Sequence, residues 1–203
     1  MTDLRVALTF DAEHPSRERN AQGADRAILD ALAAADIRAT FFVQGRWATA
    51  HPYLARRIRA DGHLVGSHSH WHAPLTLLTQ EGMRADVAQA ERRILETMGV
   101  DPRPWFRCPF GDGADRPEVL EILEAMGYRN VHWNVDTEDW CERRSPADVH
   151  GAAVEGARTA GACAVLLFHT WSAQTAEELP RIIEELRADG ARFDTAGEVS
   201  VGS

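Results

Sequence analysis

The strict alternation of short apolar runs with longer helical stretches constrains the fold of this chain more than any other feature. The apolar runs, such as RVALTF at 5–10 and ACAVLLF at 162–168, have the length of buried strands, and the stretches between them repeat apolar residues at helical spacing. The seven predicted strands cover residues 5–10, 39–43, 63–67, 103–107, 129–135, 162–168 and 191–195. The six predicted helices cover residues 24–37, 47–62, 79–99, 116–127, 145–161 and 176–190.

Continuous apolar strands joined by helices predict a parallel sheet with both faces covered. An open doubly wound sheet and a barrel would both fit this order of elements. A barrel brings the carboxyl ends of its strands to one mouth, whereas an open sheet usually gathers ligands at one switch point. We therefore predict an α/β fold, a distorted (β/α) barrel of about seven parallel strands, in a single domain over 1–203. The barrel is favoured because five polar or titratable clusters directly follow strands: 11–13, 68–72, 107–111, 136–140 and His169.

Composition limits the partners and the compartment. The 203 residues carry a formal net charge of −9, which argues against nucleic acid or an anionic membrane surface as the main partner. No apolar run approaches the length of about 18 residues that a membrane span needs, and the opening MTDLRVALTFDAEHPS does not resemble a signal peptide. The cysteines Cys108, Cys141 and Cys163 show no CxxC spacing. We therefore expect reduced thiols and a cytoplasmic location, with no prediction of oligomeric state.

Three histidines at alternate positions, His68, His70 and His72, stand out in the segment GSHSHWHAPL. In a strand all three side chains would point to one face, whereas in a turn or a helix start the first and the third can converge on one ion. The flanking glycine and proline favour the turn, and a pair of imidazoles is suited to zinc or cobalt. We expect His70 to pack elsewhere. The alternatives are a histidine-rich surface turn and one hydrogen-bonded core histidine.

Four further clusters carry groups suited to acid–base chemistry. Asp11 and Glu13 at a strand end could supply a base and a metal ligand, or only an acidic turn before the first helix. Arg107 keeps its proton and could hold a carboxylate ionised, or stiffen its turn through a salt bridge. His169 ends the most apolar strand, where a nearby carboxylate would raise its pKa as a general acid requires, although it could also be a satisfied core histidine. The acidic segment at 134–140 could be merely a solvated helix start.

In this order, the segments TFD, HSHWH, RCPFG, DTEDW and LFH resemble the five motifs of the polysaccharide deacetylases, carbohydrate esterase family 4, also called the nodulation-deacetylase homology domain. The resemblance runs from Thr9 to His169 and implies a distorted (β/α) barrel, in agreement with the pattern of apolar runs. It also implies catalytic roles. Asp11 matches the base that deprotonates the attacking water, and Arg107 the residue that orients this base. Asp139 matches the aspartate that tunes His169, the general acid for the departing amine.

The resemblance implies a metal site with one departure from the family pattern. The first motif usually reads TFDD, and its second aspartate binds the metal, but here that position is Ala12. Some relatives carry the carboxylate one position later, so Glu13 is the predicted third ligand beside His68 and His72, with Ser69 bracing their loop. The alternatives are a weak two-histidine site and a metal-free site. Zinc is the predicted divalent metal, with cobalt or nickel as alternatives.

The substrate side follows from the same resemblance. Phe110 would offer its backbone N–H to the oxyanion, Trp140 would form a wall of the groove, and Leu167 would line the acetyl pocket. The predicted function is a metal-dependent hydrolase of carbon–nitrogen (non-peptide) bonds, which removes an N-acetyl or N-formyl group from an amino sugar or oligosaccharide. The first alternative is a hydrolase of a small non-sugar amide or cyclic imide on the same fold. The second is a catalytically inactive metal- or sugar-binding domain, which Ala12 suggests.

Overall fold

The apolar runs form parallel strands, and the stretches between them form the helices that surround the sheet. A computed structural model describes residues 4–14 and 23–200 of the chain. The strands are β1 (Arg5–Ala12), β2 (Thr40–Val43), β3 (Leu64–Ser67), β4 (Trp105–Phe106), β5 (Arg129–Asn130), β6 (Val135–Asp136), β7 (Ala164–His169) and β8 (Arg192–Phe193). The helices are α1 (Ala24–Ala34), α2 (Gly45–Ala50), α3 (Pro52–Ala60), α4 (Gln80–Met98), α5 (Pro117–Ala125), α6 (Pro146–Ala160), α7 (Ala173–Ala188) and α8 (Ala196–Ser200).

The sheet has the order β5-β4-β3-β2-β1-β7-β6, with β8 paired to the start of β1. All of these pairs are parallel. The seven strands of this path curl into a half-barrel whose two edges are β5 and β6, which confirms the α/β barrel prediction. In the register between β1 and β7, Asp11 lies opposite His169. The sheet therefore places two of the predicted site residues side by side.

The core lies on both faces of the sheet because β1 and β7 carry apolar residues at successive positions. Seven of the eight residues of β1 and all six of β7 are buried. The ring of Phe10 stacks between Phe41 and Phe168, with centroid distances of 5.1 and 5.5 Å. The helices add their apolar faces to this core, as α1 does with Ile28 and Leu32. This packing fixes the strand ends that carry the polar clusters.

Helix boundaries follow local capping chemistry. Oγ1 of Thr79 accepts a hydrogen bond from Gly82 N–H at 3.1 Å at the start of α4, and Gly99 ends that helix in the left-handed conformation with a φ of 66°. The predicted single helix over 47–62 is wrong: the structure breaks it into α2 and α3 at His51. The break precedes Pro52, and a residue before proline disfavours helical dihedrals.

The predicted strand over 129–135 is also wrong as a single element. Its two ends are the edge strands β5 and β6, so residues 131–134 cross the open side of the half-barrel. Asn134 anchors the end of this crossing, because its side chain accepts from Val165 N–H at 2.8 Å and donates to Cys163 C=O at 2.7 Å. These side-chain bonds replace ladder bonds that a continuous strand would make.

Helix α7 starts three residues before the predicted boundary. Oγ of Ser172 caps it by accepting from Thr175 N–H at 3.2 Å. Within the described ranges, 4–14 and 23–200, no helix combines the length and apolar character needed to cross a bilayer. The three cysteines are free thiols.

Candidate functional site

The carboxyl ends of the strands surround a cavity of about 340 Å³. Eight of the ten predicted site residues line it, and the other two, Arg107 and Asp139, are buried and each contacts one of the lining side chains. The lining residues are Asp11, Glu13, His14, His68, His72, Phe110, Trp133, Asp136, Trp140, Leu167, His169 and Trp171. The fold thus joins segments that are far apart in the sequence.

The histidine segment after β3 is a turn and not a strand. Ser69 and His72 both have left-handed backbones, with φ values of 61° and 58°, and the N–H of His72 donates to Oγ of Ser69 at 2.9 Å. This turn brings Nε2 of His72 to 3.1 Å from Nε2 of His68. His70 is buried outside the cavity, its backbone N–H bonded to Asp86 at 3.0 Å.

Three side chains could hold a metal ion: Glu13, His68 and His72, whose ligand atoms all lie within 4.8 Å of one another. Oε2 of Glu13 is 2.5 Å from Nε2 of His72 and 3.4 Å from Nε2 of His68. Nδ1 of His68 lies 2.8 Å from the carbonyl of Arg107, so this nitrogen carries the proton and leaves the Nε2 lone pair facing Glu13. Despite these short distances, the buried Oε2 has no hydrogen-bond partner in the described part of the chain. Such a set of facing lone pairs fits a divalent cation.

Glu13 is ionised although it is buried. Burial alone would raise the pKa of this carboxyl, but its close contacts with the imidazoles of His14, His68 and His72, with the charge of His169, hold the pKa well below its usual value. A ligand carboxylate must be deprotonated, so the surroundings of Glu13 favour the form that binds cations.

Asp11 and Arg107 form a buried ion pair behind the cavity. Nη1 of Arg107 lies 3.0 Å from Oδ1 of Asp11, and Nε donates to the carbonyl of Val131 at 3.1 Å. The guanidinium also stacks on Phe42, 4.1 Å from the ring centroid. Burial lowers the pKa of Arg107, and the charge of Asp11 opposes this effect. Oδ2 of Asp11 is left on the cavity side, 3.5 Å from Nε2 of His68.

Asp139 and His169 form a second buried pair. Nδ1 of His169 lies 2.6 Å from Oδ1 of Asp139. Burial would lower the pKa of His169, but the charge and hydrogen bond of Asp139 outweigh burial and raise it to about 9. His169 is therefore an imidazolium at neutral pH, with Nε2 3.9 Å from Oε1 of Glu13. The arrangement can deliver a proton into the cavity.

The residues predicted to face a substrate lie at the rim and floor. Phe110 is 64% exposed, in a left-handed conformation with a φ of 58°, and its ring centroid is 4.3 Å from that of His72. Trp140 is 48% exposed at the rim, and Leu167 is buried. Trp140 and Phe110 both line the cavity, so they offer two apolar surfaces to a ring-shaped ligand.

Sequence reasoning missed three lining residues and left a fourth without a role. These are His14, Trp133, Trp171 and Asp136. Two of them lie just after predicted site segments: His14 comes after Glu13, and Trp171 lies two residues after His169. Proximity in sequence was the available signal, but the side-chain directions depend on turns that spacing does not reveal.

Comparison with known proteins identifies the family. The family model for polysaccharide deacetylases matches residues 1–131, which contain the first three of the five motifs. The chain belongs to the polysaccharide deacetylase family. The remaining motifs, DTEDW and LFH, contribute Asp139 and His169 to the same site as the matched segment.

Individual relatives of this polysaccharide deacetylase family member match most of its length. Peptidoglycan-N-acetylglucosamine deacetylase PgdA of Listeria monocytogenes is 31% identical over 198 residues, 98% of this chain and 39% of that protein. Chitin deacetylase of Colletotrichum lindemuthianum is 32% identical over 186 residues, 84% of this chain and 72% of that protein. A CE4-family pseudoenzyme from Bacillus anthracis has a similar structure, with a TM-score of 0.85 and 27% identity over 97% of this chain and 65% of that one.

The departure from the family pattern at position 12 has a structural counterpart. Ala12 is fully buried in the main hydrophobic core, while its neighbours Asp11 and Glu13 line the cavity. Because successive strand residues point to opposite faces, a side chain at 12 is directed away from His68 and His72. In this polysaccharide deacetylase family member, the carboxylate nearest the two histidines is therefore at position 13.

Proposed function

We propose that this chain is a metal-dependent amidohydrolase that removes an N-acetyl, or N-formyl, group from an amino sugar or oligosaccharide. One observation carries the proposal: Asp11, His169 and the Glu13–His68–His72 cluster share one cavity. A base, an acid and a cation site are the three elements that hydrolysis of an unactivated amide needs.

Glu13, His68 and His72 would hold the cation, and their donor set suits zinc, with cobalt or nickel as alternatives. When bound, such an ion lowers the pKa of water toward about 7 and polarises a carbonyl oxygen. The three residues supply two imidazoles and one carboxylate. Ala12 does not contribute, because its side chain lies in the core.

Asp11 would act as the base that takes a proton from the attacking water. Arg107 fixes Oδ1 at 3.0 Å, which leaves Oδ2 on the cavity side. The backbone N–H of Phe110 would stabilise the oxyanion of the tetrahedral intermediate, an interaction worth about 3–4 kcal/mol for a single donor.

His169 would act as the acid that protonates the departing amine. Asp139 holds Nδ1, so Nε2 is the nitrogen that delivers the proton. Its pKa of about 9 keeps the imidazolium populated at neutral pH. Without this proton the amine would be a poor leaving group, so the acid is needed for the second half of the reaction.

The substrate class rests on the relatives and on the rim. PgdA and the chitin deacetylase are named for N-acetylated sugar polymers, which gives no support to a small non-sugar amide. Trp140 and Phe110 would form the walls for a sugar ring, with Leu167 beneath the acetyl methyl.

The chain spans only 39% of PgdA, so a single catalytic domain over 1–203 and a cytoplasmic location stay predictions.

The test is acetate release from N-acetylglucosamine oligomers by zinc- or cobalt-loaded protein, beside a panel of small amides and cyclic imides. We expect release from the sugars, its loss in Asp11→Asn and His72→Ala, and little change in the control Asp30→Asn, whose carboxylate is on the surface. Full activity in either site variant would refute the assigned roles. Imide turnover without sugar deacetylation would favour the small-substrate alternative.

A second candidate function is a catalytically inactive metal- or sugar-binding domain. Two observations favour it: the missing carboxylate at Ala12, and the similarity to the Bacillus anthracis pseudoenzyme. Metal analysis combined with the acetate assay separates the candidates. Stoichiometric zinc with acetate release excludes the inactive domain, whereas sugar binding without acetate release would support it.

A further inference from the structure

The two oxygens of Glu13 face different partners. Oε2 faces Nε2 of His72 at 2.5 Å and Nε2 of His68 at 3.4 Å. Oε1 instead lies 2.8 Å from Nε2 of His14 and accepts a bond from Nε1 of Trp171 at 3.3 Å. One oxygen is directed at the two histidines, and the other is held by two nitrogens on the opposite side.

The backbone holds His14 in this position at an energetic cost. Its φ is 56°, the left-handed region that non-glycine residues rarely adopt. Gln44 is almost fully buried and stabilises this turn on both sides of Glu13. Its backbone N–H donates to the carbonyl of Ala12 at 2.9 Å, and its side-chain oxygen accepts from the backbone N–H of His14 at 3.2 Å. These bonds direct the imidazole of His14 back over the carboxylate of Glu13.

We infer that His14 and Trp171 are positioning residues that fix Glu13 as a one-oxygen ligand of the cation. Glutamate has one more rotatable bond than aspartate, so a carboxylate moved from position 12 to a glutamate at 13 needs to be held more firmly. The two nitrogens hold Oε1 and leave Oε2 directed between His68 and His72. This inference rests on the proposed function only in requiring that the cavity bind a cation.

The energetic expectation follows from partners of metal ligands in general. Groups that hydrogen-bond to a ligating side chain typically contribute about 10–100-fold to metal affinity, because they orient the ligand before binding. The contact from His14 is shorter than that from Trp171, 2.8 against 3.3 Å. The loss of His14 should therefore weaken binding more than the loss of the indole N–H.

The test measures zinc affinity by competition with a chromogenic chelator. His14→Ala should weaken zinc affinity about 10–100-fold, and Trp171→Phe, which keeps the ring, should weaken it less. His14→Gln places an N–H donor at similar reach and should restore most of the affinity. His150→Ala, a histidine of α6 paired with Glu185 and absent from the cavity lining, should bind zinc as the wild type does.

A double-mutant cycle separates positioning from general structural support. In a Glu13→Ala background, His14→Ala should cause no further loss, because the group that it positions is gone. Equal losses in both backgrounds, or wild-type affinity in His14→Ala, would overturn the inference. Circular dichroism and melting of the cation-free variants check that each one folds. A wild-type protein without zinc affinity would instead refute the proposed function, and undiminished affinity in Glu13→Ala would refute the third ligand.

Discussion

Asp139 holds His169 at two points. Oδ1 of Asp139 lies 2.6 Å from the ring Nδ1, and Oδ2 accepts the backbone N–H of His169 at 2.8 Å. Thr175 in the first turn of α7 donates to the same Oδ2 at 2.5 Å. The carboxylate therefore fixes the ring orientation and supplies the charge that opposes the desolvation of the imidazolium.

Replacing Asp139 with asparagine should move the alkaline limb of the pH–rate profile for acetate release to lower pH. Burial lowers the pKa of His169, and the charge of Asp139 outweighs burial to give a pKa of about 9. Asparagine keeps an oxygen for Nδ1–H but removes the charge, so the general acid loses its proton at lower pH. The measurement is kcat/KM as a function of pH for both proteins. An unchanged alkaline limb would show that His169 is not the proton donor.

The same pair predicts how the stability of the cation-free protein depends on pH. The pKa of His169 is about 9 in the folded chain and 6.5 as a free side chain, so its contribution is full below pH 6.5 and is lost as the pH rises through 9. One pKa unit corresponds to about 1.4 kcal/mol, so the loss in free energy of unfolding is on the order of 3 kcal/mol.

Urea unfolding between pH 6.5 and 9 measures this slope, and Asp139→Asn should flatten it. Burial would lower the pKa of His68, but the charge of Asp11 raises it, so His68 adds to the slope of both proteins. Histidines with lowered pKa values do not contribute in that range. His63, whose pKa burial lowers to about 4, affects stability only below pH 6.5. Equal slopes for the wild type and the variant would contradict the prediction.

Arg107→Met should destabilise the protein and abolish acetate release. The variant leaves the buried carboxylate of Asp11 without its partner, a loss that typically costs about 3–5 kcal/mol. Arg107→Lys should recover only part of the stability. One ammonium group cannot make both bonds of the guanidinium, from Nη1 to Asp11 and from Nε to the carbonyl of Val131. Urea unfolding at pH 7 measures the stability of both Arg107 variants. Arg116→Lys, an exposed pair with Glu118, serves as the control and should change stability little. Wild-type stability in Arg107→Met would contradict the role of this ion pair.

The elements that periodicity defines were predictable, and so was the end of the sheet at which the site lies. Parallel strands place all their carboxyl ends together, so the sequence positions of Asp11, His68 and His169 after strands were enough to bring them to one cavity. The split of the strand over 129–135 was not predictable, because its apolar residues Val131, Trp133 and Val135 alternate as they would in one continuous strand. Only the tertiary arrangement decides that residues 131–134 leave the sheet, because they cross from β5 at one edge to β6 at the other.

The details of the candidate site depend on backbone conformations that could not be predicted from the residue types. His14, Ser69, His72 and Phe110 all have positive φ values without being glycine. His14 itself has such a backbone conformation, which places its ring over Glu13. Its N–H donates a hydrogen bond to Gln44, which is 30 residues away in the sequence. Long-range bonds of this kind select the turn, and residue spacing alone cannot show them.

Ala12→Asp should not replace Glu13 as a cation ligand, although it restores the usual family motif. Ala12 is fully buried in the main hydrophobic core, so a carboxylate there would lack a partner and cost about 3 kcal/mol or more. We therefore expect Ala12→Asp/Glu13→Ala to melt below Glu13→Ala and to show the same weak zinc affinity, measured by chelator competition. Glu13→Asp, which keeps a shorter carboxylate at the same position, is the control and should retain part of the affinity. Wild-type affinity in the double variant would mean that the end of β1 can turn to present residue 12 to His68 and His72, and that the core position of Ala12 does not determine which residue binds the cation.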